Sequence, residues 1–173
     1  MLPINTYKVL EKTIANDREI IGTYDVHHEG SGDMYYKGAN ILHTLRQLVE
    51  DDSLWREVLT GLNKDFYHQT VSTKQVEDYI SKKTNKDLSA FFNQYLRTNK
   101  VPVFEYIIND EFIQFRYTNV VLGFDMPIRV FINDQEKWLF PNREWQTHNF
   151  EEKGANLSFD YNFYIDYEGL PDD

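Results

Sequence analysis

Tyr35, Tyr36 and Lys37 sit where a glycine-bearing loop meets an amphipathic stretch. The polar run His27-His28-Glu29-Gly30-Ser31-Gly32 precedes them, and Gly38-Ala39 leads on into a helical pattern. A tyrosine hydroxyl fixed at the head of a helix is a neutral donor that can be aimed at an oxygen becoming negative during a reaction. Removing one such donor typically costs about 10²–10³ in rate. The plainer reading of Tyr35 is a helix-end aromatic packing under a bundle. Lys37 reads as structural, pairing with a carboxylate near the loop.

His27-His28-Glu29 has metal-ligand residue types in the wrong order. A zinc helix of the form H-E-x-x-H puts two histidines one turn apart on one face, with the glutamate as general base. Here the histidines are adjacent and point in different directions, and the nearby glycines oppose a helix. His43, His68 and His148 are scattered singly. No metal site is therefore expected within the chain. Glu105, Asp110, Glu111, Asp125, Asp166, Glu168, Asp172 and Asp173 show no pairing suited to acid–base work and read as solvated faces and turns. The aromatic run Tyr161, Phe163, Tyr164, Tyr167 resembles a carbohydrate platform, but strand packing accounts for it more simply. Gly30-Ser31-Gly32 lacks the Lys-[Ser/Thr] end of a phosphate loop.

The elements that must position these residues follow from periodicity. Ile4, Tyr7, Val9-Leu10 and Ile14 give an imperfect helical pattern broken at Asn16-Asp17, and Arg18 to Tyr24 reads as extended or looping. From near Tyr35 a helix is predicted, with Ala39, Leu42, Leu45 and Leu48-Val49 as its apolar face. A second, capped by Asp52 or Ser53, faces inward through Trp55, Val58-Leu59, Leu62 and Phe66. Ser72 and Gln75 form a capping box for a third carrying Val76, Tyr79 and Ile80. A fourth, capped by Asp87, presents Leu88, Phe91-Phe92 and Tyr95-Leu96. Beyond Pro102 the period falls to two, and strands are predicted over 103–108, 112–117, 128–132, 137–140 and 157–167. The fold class is α+β: a helical bundle portion over residues 1–100, then a small antiparallel β-sandwich over 101–173.

The 173 residues are 41% hydrophobic and 16% aromatic, enough for a core rich in rings. A net charge of −10, from 18 basic and 28 acidic residues, repels phosphate backbones, so nucleic acid is not an expected partner. No apolar run approaches the roughly twenty residues that span a bilayer. The residues after Met1 do not form a signal peptide. With no cysteine, disulfides and thiolate metal sites are excluded, and both a cytoplasmic and a periplasmic address stay open.

Two of these segments resemble a known family. Tyr35-Tyr36-Lys37-Gly38-Ala39 before an apolar helix is similar to the Y-E-K-G-[AS] segment of the zinc aminopeptidases of peptidase family M1, a gluzincin family. Asp87-Leu88-Ser89-Ala90-Phe91-Phe92-Asn93-Gln94-Tyr95-Leu96, with Pro102 after it, resembles that family's D-L-S-x-F-F-x-Q-[WY]-[LV]…P helix, which closes the catalytic domain and leads into a β-sandwich. The order is the family's, and the resemblance covers the chain from about Asn16 onward. Tyr36 departs from the pattern, standing where the family commonly has Glu.

The resemblance implies a parent enzyme that hydrolyses N-terminal residues from peptides with a zinc-activated water. It implies that Tyr35 donates to the oxyanion. The zinc ligands, the general base and the motif that holds the substrate amine lie upstream of the Y-x-K-G segment in the family, and none is in this sequence. On this expectation Met1 begins inside a longer protein, zinc belongs to the parent, the upstream catalytic half is a partner, and the chain alone is inactive. Without the resemblance, the same pattern fits a non-catalytic module that recognises a protein or glycan. A degenerate peptidase that keeps the fold and has lost its metal is a third reading.

Overall fold

The computed structural model describes residues 14–21 and 31–172. Among the described residues four helices come first: α1 (Asp33–Val49), α2 (Asp52–Asp65), α3 (Thr73–Thr84) and α4 (Ser89–Arg97). Their ends follow local chemistry. The Asp51 carboxylate accepts from the N–H groups of Ser53 and Leu54, satisfying donors that the first turn of α2 leaves open. Ser72 and Gln75 form the expected capping box of α3. Left-handed residues, Glu50 after α1 and Asn85 after α3, turn the chain out of each helix.

Seven strands follow: β1 (Val103–Ile108), β2 (Phe112–Thr118), β3 (Ile128–Ile132), β4 (Gln135–Leu139), β5 (Gln146–Asn149), β6 (Leu157–Phe159) and β7 (Asp166–Gly169). They form one sheet of order β5-β2-β1-β7 and another of order β4-β3-β6. All pairings are antiparallel except β1 with β7, where Val103 lies opposite Asp166 in parallel register. Ile113, Phe115 and Tyr117 of β2 point inward while Phe112, Gln114 and Arg116 take the other face. The sheets meet through rings: Phe159 of β6 lies 4.9 Å from Tyr106 and 4.7 Å from Tyr167, centroid to centroid.

The α+β class holds, and one hydrophobic core runs through helices and sheets together. Tyr95 of α4 joins the halves, with its ring 4.7 Å from Phe91 and 6.0 Å from Phe124. Some expectations change. The segment 157–167 is two strands on different sheets, separated by a turn at 160–165. The Asp160 carboxylate accepts from the Asn162 backbone, which bends the chain before β-propensity can extend it. The fourth strand begins earlier than expected, at Gln135, and leaves Phe140 exposed. Strand β5 was not expected at all, because Gln146, Thr147, His148 and Asn149 carry no apolar alternation.

The largest change concerns α1. Its buried residues are Asp33, Lys37, Asn40, Ile41, Thr44, Leu45 and Leu48. Leu42 and Ala39, expected to face inward, are exposed. Of the first expected helix, only Ile14 and Ala15 lie within the described residues, and they are not helical. The expected extended segment is described as far as Ile21, whose N–H donates to the Leu96 carbonyl at 2.9 Å.

Candidate active site

Tyr35 stands in the first turn of α1 between two buried charged side chains. At about 100° per residue, Asp33 and Lys37 share one face and Tyr35 is directed to the other. Asp33 accepts from the backbone N–H groups of Ala15 and Asn16, at 2.9 and 2.7 Å. Lys37, fully buried, donates from Nζ to the Thr98 carbonyl just past α4, at 3.0 Å. Burial pushes the Lys37 ammonium below the usual lysine range, and the charge of Asp33 works against that shift. Lys37 thus bonds a main-chain oxygen at a helix C-terminus, where a cation is favoured, rather than the expected carboxylate. These two anchors fix the first turn, so Tyr35 emerges at 74% exposure on rigid backbone.

The phenol borders an open groove of about 410 Å³ between α1, α3 and α4, lined among others by Leu42, Val76, Ile80, Phe92 and Leu96. Its walls are almost wholly apolar. Met34, Tyr36 and Leu42, on or beside this face of α1, are exposed as well. Contiguous apolar surface rimmed by polar residues marks a place where another surface or a ligand sits. Gly38 lines the groove, and a Cβ added there would meet nothing within 4 Å.

The other candidates separate. His27, His28 and Glu29 lie outside the described residues. Nε2 of His43 is 3.1 Å from Asn162 Oδ1, and burial lowers the His43 pKa. His68 lies against Tyr67 beyond α2, and His148 is in β5 beside Phe150. Among the described residues no three His, Asp or Glu side chains converge on a point that would hold a metal ion. The donor set of the described residues therefore does not fit a resident zinc.

Three of the acidic candidates hold structure. Glu105 bonds Arg116 and Thr118 across β1 and β2, Glu111 pairs with Lys153, and Asp172 accepts from Asn109. Asp166 has its pKa raised by burial. In the aromatic run, Phe163 and Tyr164 are buried and the Tyr161 ring rests against Tyr167, which fits packing rather than a sugar platform. What sequence reasoning missed is the anchoring role of Asp33. Its only local signal was its place four residues before Lys37.

No family model and no curated protein matches the chain. Its fold does match a solved structure of aminopeptidase A from Legionella pneumophila in complex with aspartic acid. The TM-score is 0.59 over 80% of this chain, at 17% sequence identity. The chain has an aminopeptidase-like fold in that sense. It spans 18% of the length of that chain. No described helix is long and apolar enough to cross a membrane.

Proposed function

We propose that the chain is the C-terminal part of a zinc aminopeptidase of the family M1 type, and that Tyr35 is its oxyanion-stabilising donor. Residues 1–100 are read as the end of the catalytic domain and 101–173 as a β-sandwich domain. The observation that carries the proposal is the placement of Tyr35: exposed, on the anchored first turn of a helix, beside an apolar groove. The aminopeptidase-like fold supports it.

In this reading the Tyr35 hydroxyl donates to the substrate carbonyl oxygen as it becomes negative, and it is held ready so that no reorganisation accompanies the reaction. The groove beside it receives the upstream catalytic half, which covers the exposed face of α1. The metal and its ligands, the general base and the pocket for the substrate amine belong to that half. Zinc in the parent supplies the activated water.

Two experiments test the reading. The purified chain should show background peptidase activity with or without zinc. The same chain joined to its native upstream polypeptide should hydrolyse an aminoacyl-chromophore, and Tyr35→Phe should lower kcat by about 10²–10³ with little change in KM. Full activity of Tyr35→Phe in the joined protein sinks the proposal. The exposed groove also suits the second reading, a non-catalytic interaction module, and a native upstream sequence without H-E-x-x-H would decide for it.

A further inference from the structure

Residues 160–164, on the turn between β6 and β7, reach α1 at two separated places, directly at mid-helix and through Asn16 at its head. The first contact is at mid-helix. The Tyr164 N–H donates to Oγ1 of Thr44 at 3.0 Å, where Thr44 is fully buried. Beside it, Arg129 of β3 forks between Asp160, at 2.6 Å, and Gln47 of α1, at 2.9 Å. Asn162 adds its Oδ1 to His43. The second contact is at the head of the helix and runs through one intermediary. The side-chain amide of Asn16 donates to the Tyr164 hydroxyl at 2.8 Å, and the Asn16 backbone N–H donates to the carboxylate of Asp33 at 2.7 Å.

Apolar packing of Ile41, Leu45 and Leu48 is non-directional and tolerates small sliding of a helix on its support. Hydrogen bonds between buried polar groups do not, because each one lost leaves a desolvated donor or acceptor. Bonds at both Asp33 and Thr44 therefore set the axial position and rotation of α1. Tyr35 lies on the same rigid rod, two residues from one contact.

We infer that the 160–164 turn is a clamp that sets the register of α1, and that Thr44, Asn16 and Tyr164 are positioning residues for Tyr35. The service to Tyr35 rests on the catalytic reading above; the clamp itself does not. This gives the sandwich a task in the site that it does not enter. The sandwich holds the helix that presents the hydroxyl.

The test is amide hydrogen exchange along α1 in the full chain, for Thr44→Val, Thr44→Ser and Tyr164→Phe. Thr44→Val keeps the shape and removes the acceptor, Thr44→Ser keeps the acceptor, and Tyr164→Phe removes only the oxygen that takes the Asn16 amide. We expect exchange across residues 37–48 to quicken about tenfold in Thr44→Val and in Tyr164→Phe. Thr44→Ser should stay near wild type, and strands β2 and β3 should be unchanged in all three. Three results would overturn the clamp: unchanged exchange in either disabling variant, equal acceleration in the strands, or failure of Thr44→Ser to restore protection. The catalytic reading can fail alone, since full activity of Tyr35→Phe leaves every one of these exchange results standing.

Discussion

The Tyr95 hydroxyl donates to the main-chain carbonyl of Tyr164 at 2.7 Å, with both side chains buried. One residue thereby gives its N–H to α1 and its C=O to α4. Tyr95→Phe keeps the ring contacts and leaves that carbonyl without its donor in a place closed to water. We expect a loss of about 1–3 kcal/mol in unfolding free energy, measured by urea titration at neutral pH. A loss below a few tenths would mean that the carbonyl finds another donor.

High pH should unfold the protein through two phenols. Burial raises the pKa of both Tyr95 and Tyr117 well above the tyrosine range, and Tyr117 also donates to the Met126 carbonyl at 3.0 Å. A folded-state pKa above the unfolded one leaves stability intact below about pH 10, the unfolded value, and removes it as pH rises beyond. With both groups protonated when folded and ionised when unfolded, the slope approaches roughly 2.7 kcal/mol per pH unit. Tyr117→Phe should halve that slope in equilibrium unfolding followed from pH 9 to 11.

Gly61, inside α2, faces the Tyr79 hydroxyl so closely that an added Cβ would clash with it. The phenol would have to swing away from Asp65, to which it donates at 3.1 Å. Gly61→Ala should therefore destabilise the wild-type chain despite the helix propensity it gains. In a Tyr79→Phe background the hydroxyl clash is gone, and only the ring Cζ, 3.2 Å from the added Cβ, must give by a small movement. There the same substitution should stabilise by up to about 1 kcal/mol, the ordinary Gly-to-Ala difference in a helix. Thermal unfolding of the four proteins checks the change of sign.

Gly38→Ala behaves oppositely in the isolated chain, because the space beside it is open. We expect a gain of about 0.5–1 kcal/mol. If the groove receives the upstream half, the added methyl should weaken that association. A titration of the two parts, comparing wild type and Gly38→Ala, reads the difference.

Much of this molecule was legible in the order of its residues. The four helices are legible by period, and the capping box at Ser72 and Gln75 letter by letter, whereas α2 is capped by Asp51 rather than by the expected Asp52 or Ser53 and α4 starts from Leu88 rather than Asp87. The departures at α1 share one physical cause. Which face of α1 turns inward is decided by partners far away in sequence: Thr98 for Lys37, Asn16 for Asp33, Tyr164 for Thr44. With those partners hidden, the sequence pattern assigns the polar face to solvent and Leu42 to the core. The loop before Tyr35 marks its place at the head of a helix, but its exposure is visible only in the fold. The groove that gives that exposure meaning comes from α3 and α4 and could not be read from α1 alone. Residues 157–167 failed for a local reason: aromatic β-propensity outweighed the Asp160–Asn162 turn, a signal that was present and not used.

The parallel pairing of β7 with β1 has a consequence for synthesis. Val103 leaves the ribosome some sixty residues before Asp166 arrives to lie beside it, and α1 leaves earlier still. Until Tyr164 has emerged, the nascent helix bundle lacks the Tyr164 contacts to Thr44 and to the Asn16 side chain. A polypeptide interrupted anywhere between Arg97 and Asp160 would therefore carry a bundle that is made but never secured.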